Sequence, residues 1–447
     1  MTSTVTERQC THTPAEISLR VRTTPSQSSS QPPQDEPDEP ESFPDGGREA
    51  LTVLFGCSCT GFGSLALLNC PGTLQAWIAE QELPDQSLAK LGWIFGFYTF
   101  VCFFAGIQIG PLFDAYGPRV LACVGSVLQI ATYLVLGECK EYWQFFVTLG
   151  IMGGIGTSIL LTCTISTVQL WFYKYRGIAS ATALCGGSIA GIVFPLMLQS
   201  LFPKIGFAWT LRATALLILP FLVTGCLLMR RRRRPRSSHS PSWRNLAFQP
   251  RLLLEPDLMV ISIGVYFLEW ALFIVLTYLS SYALHQNMSF SLSYRLLTYL
   301  NCGSLVGRMG AGWIGDKLGR YNTQMGATSL CAVSVLGIWL PSADNTAVLV
   351  FFSVVFGIAA GSNISLTPVC LGQLCSTDRY GRTFTAVYTV SSIGALTGIP
   401  VAGEILERTN GNYWGIIVLT GLSYAVSLAS FAAVRVMKTG WRINVKF

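Results

Sequence analysis

The sequence predicts an all-α membrane protein of twelve transmembrane helices arranged as two six-helix bundles. Three observations carry this: too little charge for a water-facing surface, a succession of long uncharged stretches, and a repeat relating the first half of the chain to the second. Of the 447 residues, 51% are apolar and only 12% charged. A soluble globular protein carries about twice that charged fraction, so much of this surface must face hydrocarbon. A helix needs about 20 residues, at about 1.5 Å each, to cross roughly 30 Å of bilayer core.

Residues 1–42 are rich in Ser, Thr, Pro, Gln and acidic side chains and hold too little apolar surface to offset the entropy of ordering, so they are expected to be a disordered tail. No apolar h-region lies between Met1 and Arg22, and no secretory signal is expected there. Apolar segments then fall at about 50–70, 91–112, 119–137, 143–168, 178–200 and 207–229, and at 257–284, 293–314, 324–341, 346–369, 383–403 and 413–436. The expected units are a first bundle over 43–229, a basic linker over 230–256, a second bundle over 257–436 and a short tail over 437–447.

Orientation follows from the short loops, because Lys and Arg are retained on the cytosolic side. One alternate set of connections holds Arg119, Lys174, Arg176, the block Arg230 to Arg234 with Arg236, Lys317, Arg320, Arg379 and Arg382; the other has only scattered positives such as Lys140, Lys204 and Arg408. Both termini are therefore expected in the cytosol. The formal charge of +7 resides largely in the arginine block, which directly follows an apolar segment and reads as a membrane-flanking loop rather than a nucleic-acid patch. The fourteen cysteines lie mostly in apolar stretches without metal or disulfide spacing. No nucleotide-binding loop or nucleophile–base constellation is present, so neither a cofactor nor an enzyme is expected.

The repeat sits after the second and eighth segments. Gly110, Asp114 and Gly117 match Gly312, Asp316 and Gly319 at one constant offset, with Arg119 and Arg320 close behind, and Pro195 and Pro400 echo each other late in the fifth and eleventh segments. Glycine lets a helix end approach its neighbour, and an aspartate can accept from a helix N-terminus or pair with an arginine. Such contacts would latch the cytosolic face and break during gating. Parallel repeats of this kind meet around a central cavity.

These residues resemble the major facilitator superfamily, whose loop between the second and third helices has the form Gly-x-Leu-x-Asp-x-x-Gly. Within it the chain is similar to the monocarboxylate porter family, especially its fungal branch. Pro44-Asp45-Gly46-Gly47 resembles that family's first motif, with Arg48 in the aromatic place. The run from Trp171 to Ala179, with Gly186 and Gly191, resembles the second, and Gly303, Ser304, Gly307 and Arg308 resemble its eighth helix. The resemblance implies proton and carboxylate sites at a lysine in helix one and an Asp-Arg pair in helix eight. Here Asn69 or Cys70 stands at the lysine and Ser304 at the aspartate, while Arg308 matches the arginine. Lactate-type transport therefore does not follow from the likeness.

Ionisable groups within a bilayer are functional candidates. Glu269, in the middle of the seventh segment, could bind and release a proton or tie helices together, and Arg308 could hold a planar anion or snorkel. Arg212, near the outer end of the sixth segment, suits snorkelling or a structural pair. Asn363, Tyr388, Thr162 and Gln75 are further polar candidates, and the glycines of segments four and ten suit close packing. Asn287-Met288-Ser289 is a glycosylation sequon on the outer side. The expected activity is alternating-access movement of a small organic solute, such as an organic anion or secondary metabolite, either export of a biosynthetic product or uptake of a monocarboxylate-like compound, by a monomer of the plasma membrane coupled to protons. The alternative is a receptor or sensor on the same fold.

Overall fold

The computed structural model describes residues 43–86, 88–231, 254–342 and 345–440. The expected tail at 1–42 and most of the linker lie outside them. Among the described residues six spans precede the linker and six follow it: Gly47–Ser64; Leu88–Phe104 continuing as Gly106–Tyr116; Pro118–Leu136; Tyr142–Trp171; two spans within Arg176–Leu228; Pro256–His285; Phe290–Leu318; Arg320–Ser334 continuing as Val335–Trp339; Thr346–Leu374; Tyr380–Arg408; and Trp414–Thr439. They are numbered one to twelve in that order.

Eight of these helices are long and apolar enough to cross a membrane by length and composition alone. One of the eight, Arg176–Leu228, is the fifth and sixth spans joined at Gly206, whose φ of 78° turns the chain. The first and eighth spans are richer in small and polar residues, and the ninth ends in a π-helical stretch. The first span is also shorter than the apolar run predicts. It stops at Ser64, and a separate helix at Pro71–Trp77 follows, with proline starting its first turn.

Unlike a water-soluble bundle, the helices carry apolar side chains on the outside as well as in the core, and bury polar ones among them. Val120, Val127, Leu216, Leu227, Val306, Val333 and Leu422 stand exposed on the outside, while Thr157, Thr164, Ser166, Thr167 and Gln169 of the fourth span are buried. Hydrophobicity gives helices no reason to associate in lipid, so close van der Waals approach and internal hydrogen bonds must do so. Spans eight and ten show this best. A methyl added at Gly303, Gly307, Gly357 or Gly361 would lie 2.0–2.4 Å from a backbone oxygen of the other helix. The serine and threonine hydroxyls of the spans mostly donate to carbonyls one turn back, as Thr60, Thr164, Thr214 and Ser353 do.

Candidate functional site

The two copies of the repeated motif come together with the opposite half of the molecule. Gly110, Asp114, Gly312 and Asp316 all lie inside the final turns of their spans rather than in loops, and the turns proper are Gly117 and Gly319, at φ of 81° and 102°. Positive φ explains glycine there. The backbone N–H groups of Gly177 and Ile178, in the first turn of the fifth span, donate to the two carboxylate oxygens of Asp316, each at 2.9 Å. In the other copy the N–H of Arg382, in the first turn of the eleventh span, donates to Asp114 at 3.2 Å. The first N–H groups of a helix have no partner within it and carry positive partial charge, so each carboxylate caps a helix of the other half.

Glycine permits this approach. A methyl at Gly312 would sit 2.7 Å from the carbonyl oxygen of Gly177, and one at Gly110 would sit 2.5 Å from that of Gly381. Arg320 pairs with Asp316 at 3.5 Å and donates to the carbonyl of Tyr173; Arg382 pairs with Asp114 at 3.6 Å. Arg119 takes no part in this contact, although the sequence groups it with Arg320. Its guanidinium donates to the carbonyl of Leu227, within its own half.

Three further residues at this end make contacts that their motifs or charge do not specify. Buried Arg176 donates to the carbonyls of Phe172, Gln169 and, across the halves, Gly372 at 3.1 Å. Asp45 accepts from the N–H groups of Tyr173 and Lys174, both at 2.7 Å, and Phe43 stacks on Tyr173, so the segment before the first span braces the loop that receives Arg320. Arg231, from the arginine block, donates to the carbonyl of Ala115 and covers the C-terminal end of the second span, where a cation is favoured.

The intramembrane candidates separate into two groups. Arg308 is buried against the fifth span, donating to the carbonyl of Leu184 and through Nε to Ser304 Oγ at 3.3 Å. Ser304 in turn accepts from Ser188 at 3.3 Å, and Asn301 donates to the carbonyl of Gly191. Glu269 faces a different quarter, within electrostatic reach of Cys102, Tyr388 and Tyr424, beside a small cavity with room for about one water, lined also by Leu268, Leu272, Ala360, Asn363 and Ile364. No ion pair joins Glu269 and Arg308 among the described residues, and the two have different neighbouring helices.

Tyr388 packs at a tilt between Phe384 and Phe103, at 4.6 and 5.4 Å, and joins the halves through the Phe103 contact. Asn363 accepts from Thr328 at 3.0 Å. Asn69 donates its amide to the carbonyls of Leu65 and Gly187, tying the turn after the first span to the fifth span. Thr162 is buried in the fourth span. Arg212 pairs with Glu138 and lies over the Trp209 ring at 4.7 Å. Asn287 is exposed in the turn between spans seven and eight.

The sequence profile of the Major Facilitator Superfamily matches residues 52–399. The chain is 32% identical over 429 residues to the riboflavin transporter MCH5 of Saccharomyces cerevisiae, covering 92% of this chain and 82% of that one. It is 30% identical over 408 residues to the fujikurins efflux protein of Gibberella fujikuroi, covering 91% and 87%. The crystal structure of the Escherichia coli fucose:proton symporter FucP superposes with a TM-score of 0.66 at 17% identity, covering 87% of this chain and 99% of the symporter, which is a likeness of fold. Twelve spans in two halves, a duplicated motif and a profile match over most of the chain lead to one conclusion: this integral, multi-pass membrane protein belongs to the Major Facilitator Superfamily.

Proposed function

We propose that the chain is a secondary active transporter of a small organic solute, working by alternating access with Glu269 as proton carrier. The observation that carries this reading is the reciprocal capping at the motif end, where Asp114 and Asp316 each hold a helix of the opposite half. Such contacts can break as a unit when the halves rock apart, because each rehydrates at little cost once opened. The motif end is the cytosolic end by the distribution of Lys and Arg, both termini are cytosolic, and the protein acts as a monomer in the plasma membrane.

The finer assignment is to the fungal branch of the monocarboxylate porters, supported by Asp45-Gly46-Gly47, by Trp171 to Ala179 and by Arg308. The Arg308 fork suits an anionic or carbonyl-rich solute. Export of a biosynthetic product is the proposed direction, supported by the relative named for efflux. Metabolite profiling of cells with and without the protein tests this reading. Export predicts that a small organic compound accumulates inside cells lacking the protein and appears in the medium of those producing it. Identical profiles under both conditions would remove it.

A further inference from the structure

We infer that a column of buried polar side chains between the ninth and tenth spans carries protons between Glu269 and the motif end of the bundle. This rests on the proposed reading of Glu269 as the proton carrier and assigns the route by which that proton reaches one aqueous face.

The column consists of two hydrogen-bonded pairs, Asn363 with Thr328 and Gln324 with Thr367, below a cavity shared with Glu269. Asn363 lines the same small cavity as Glu269, with Tyr424 completing its polar edge. Asn363 Oδ1 accepts from Thr328 Oγ1 at 3.0 Å, and its Nδ2 donates to Cys331 at 3.3 Å. Gln324 Nε2 donates to Thr367 Oγ1 at 3.1 Å, and Thr367 donates to the carbonyl of Asn363 at 2.8 Å. Gln324, Thr328 and Thr367 are wholly buried. Gln324 Oε1 is buried without a hydrogen bond, the state in which a polar atom most favours a water.

Height along the helices orders these groups. Gln324 is one turn past Arg320, about 6 Å into the ninth span, Thr328 about 12 Å, and Glu269 about 20 Å from the start of the seventh. Below Gln324 stand Arg320 and Tyr321, whose hydroxyl donates to the carbonyl of Cys370. The titratable groups facing Glu269 are Cys102 from the second span, Tyr388 from the eleventh and Tyr424 from the twelfth. Among the described residues no hydrogen bond or ion pair reaches its carboxyl group.

A buried polar cluster can instead serve only to knit helices. The first half contains one of that kind, in which Tyr98 meets Thr157 at 2.9 Å and Thr157 donates to Gln129 at 3.2 Å. Both clusters hold an orphaned amide atom, Gln129 Nε2 in the first half and Gln324 Oε1 in the second; what distinguishes the second half is a carboxyl at the upper end with a cavity against it. In the transfer, the Glu269 carboxyl gives its proton to a water in the cavity and is left as carboxylate. The proton then passes between water and the Thr328 and Thr367 hydroxyls, each accepting one proton as it releases its own, and is delivered to water at the motif end. No electron moves.

Dicyclohexylcarbodiimide, which attacks protonated carboxyls in apolar surroundings, reads this without a known solute. In proteoliposomes of one orientation, labelling of Glu269 is followed by mass spectrometry while pH is varied separately on each face, with Glu269→Gln as the blank. The column predicts that labelling falls as pH rises on the motif side, approaching tenfold per unit once the carboxyl is mostly ionised. Thr328→Val and Gln324→Leu abolish that response while keeping the response to the other face; Thr328→Ser and Thr157→Val leave both intact. If Thr328→Val and Gln324→Leu respond as the unsubstituted protein does, or if Thr157→Val removes the response equally, the column is not the route. Labelling indifferent to pH on both faces would instead dismiss Glu269 as the carrier.

Discussion

Replacing Asp316 by asparagine should open the motif end. The Asp316 carboxylate accepts two first-turn N–H groups of the fifth span at 2.9 Å each and pairs with Arg320 at 3.5 Å. The side chains of Asp316 and Arg320 are only 9% and 11% exposed, so water screens little of this interaction. Asparagine keeps one acceptor oxygen and turns an NH2 group toward the other N–H. The loss is one charge-assisted hydrogen bond, about 1.5–3 kcal/mol, with some of the helix-end attraction, about 0.3–1 kcal/mol. A net 2–3 kcal/mol, roughly 30- to 150-fold, would move the equilibrium toward separation of the halves, because the open state hydrates either side chain. Spin labels at Lys174 and Lys317, exposed on opposite halves at this end, report it in a background stripped of reactive cysteine. Asp316→Asn should shift the distance distribution to longer values. An unchanged distribution would refute the claim that the carboxylate caps hold this end shut.

Three other outcomes follow from the same geometry. Glu269→Gln should leave solute exchange in place but flatten the pH dependence of net transport; a retained pH profile would assign the proton elsewhere. Gly307→Leu places a side chain where a methyl alone would sit 2.0 Å from the carbonyl oxygen of Ile358, and overpacking of this kind costs about 1–3 kcal/mol or more. Detergent-solubilised protein should therefore unfold at lower temperature, while Gly310→Ala, where nothing lies within 4 Å, should not change it. Asn287→Gln should remove a glycan-dependent mobility shift in cell-expressed protein, and equal mobility before and after glycosidase treatment would show the sequon unused.

Much of the fold was legible because bilayer crossing imposes a length and a composition that sequence records directly. The apolar run at 50–70 misled at its end, since Ser64 closes the first span although Leu65, Leu67 and Leu68 continue the pattern. Hydropathy measures burial in an apolar phase and does not distinguish helix from turn. The motif aspartates were legible through their doubled spacing, but their partners were not. Gly177, Ile178 and Arg382 contribute backbone N–H groups, which leave no mark in side-chain identity.

Arg176 reads from sequence as one more cytosolic positive, yet it is buried and bonded to three carbonyls. Its position between two aromatic residues, Tyr173 and Tyr175, and the glycine that follows was the available signal. Glu269 and Arg308 stood out as charges within apolar runs, but charge alone says nothing of which neighbours they face. Gln324 with Thr328, and Asn363 with Thr367, recur at four-residue spacing on adjacent helices. That polar stripe carries no charge, and its residue types alone do not separate it from the hydroxyls and amides that knit helices elsewhere in the fold.

Transport itself is the most direct test of the proposed function. Purified protein in proteoliposomes, with a proton gradient imposed in either direction, should move riboflavin or a member of a panel of aromatic and aliphatic carboxylic acids faster than protein-free vesicles, with net flux lost in Glu269→Gln and exchange retained. No flux above protein-free vesicles for any of these solutes under either gradient would contradict it.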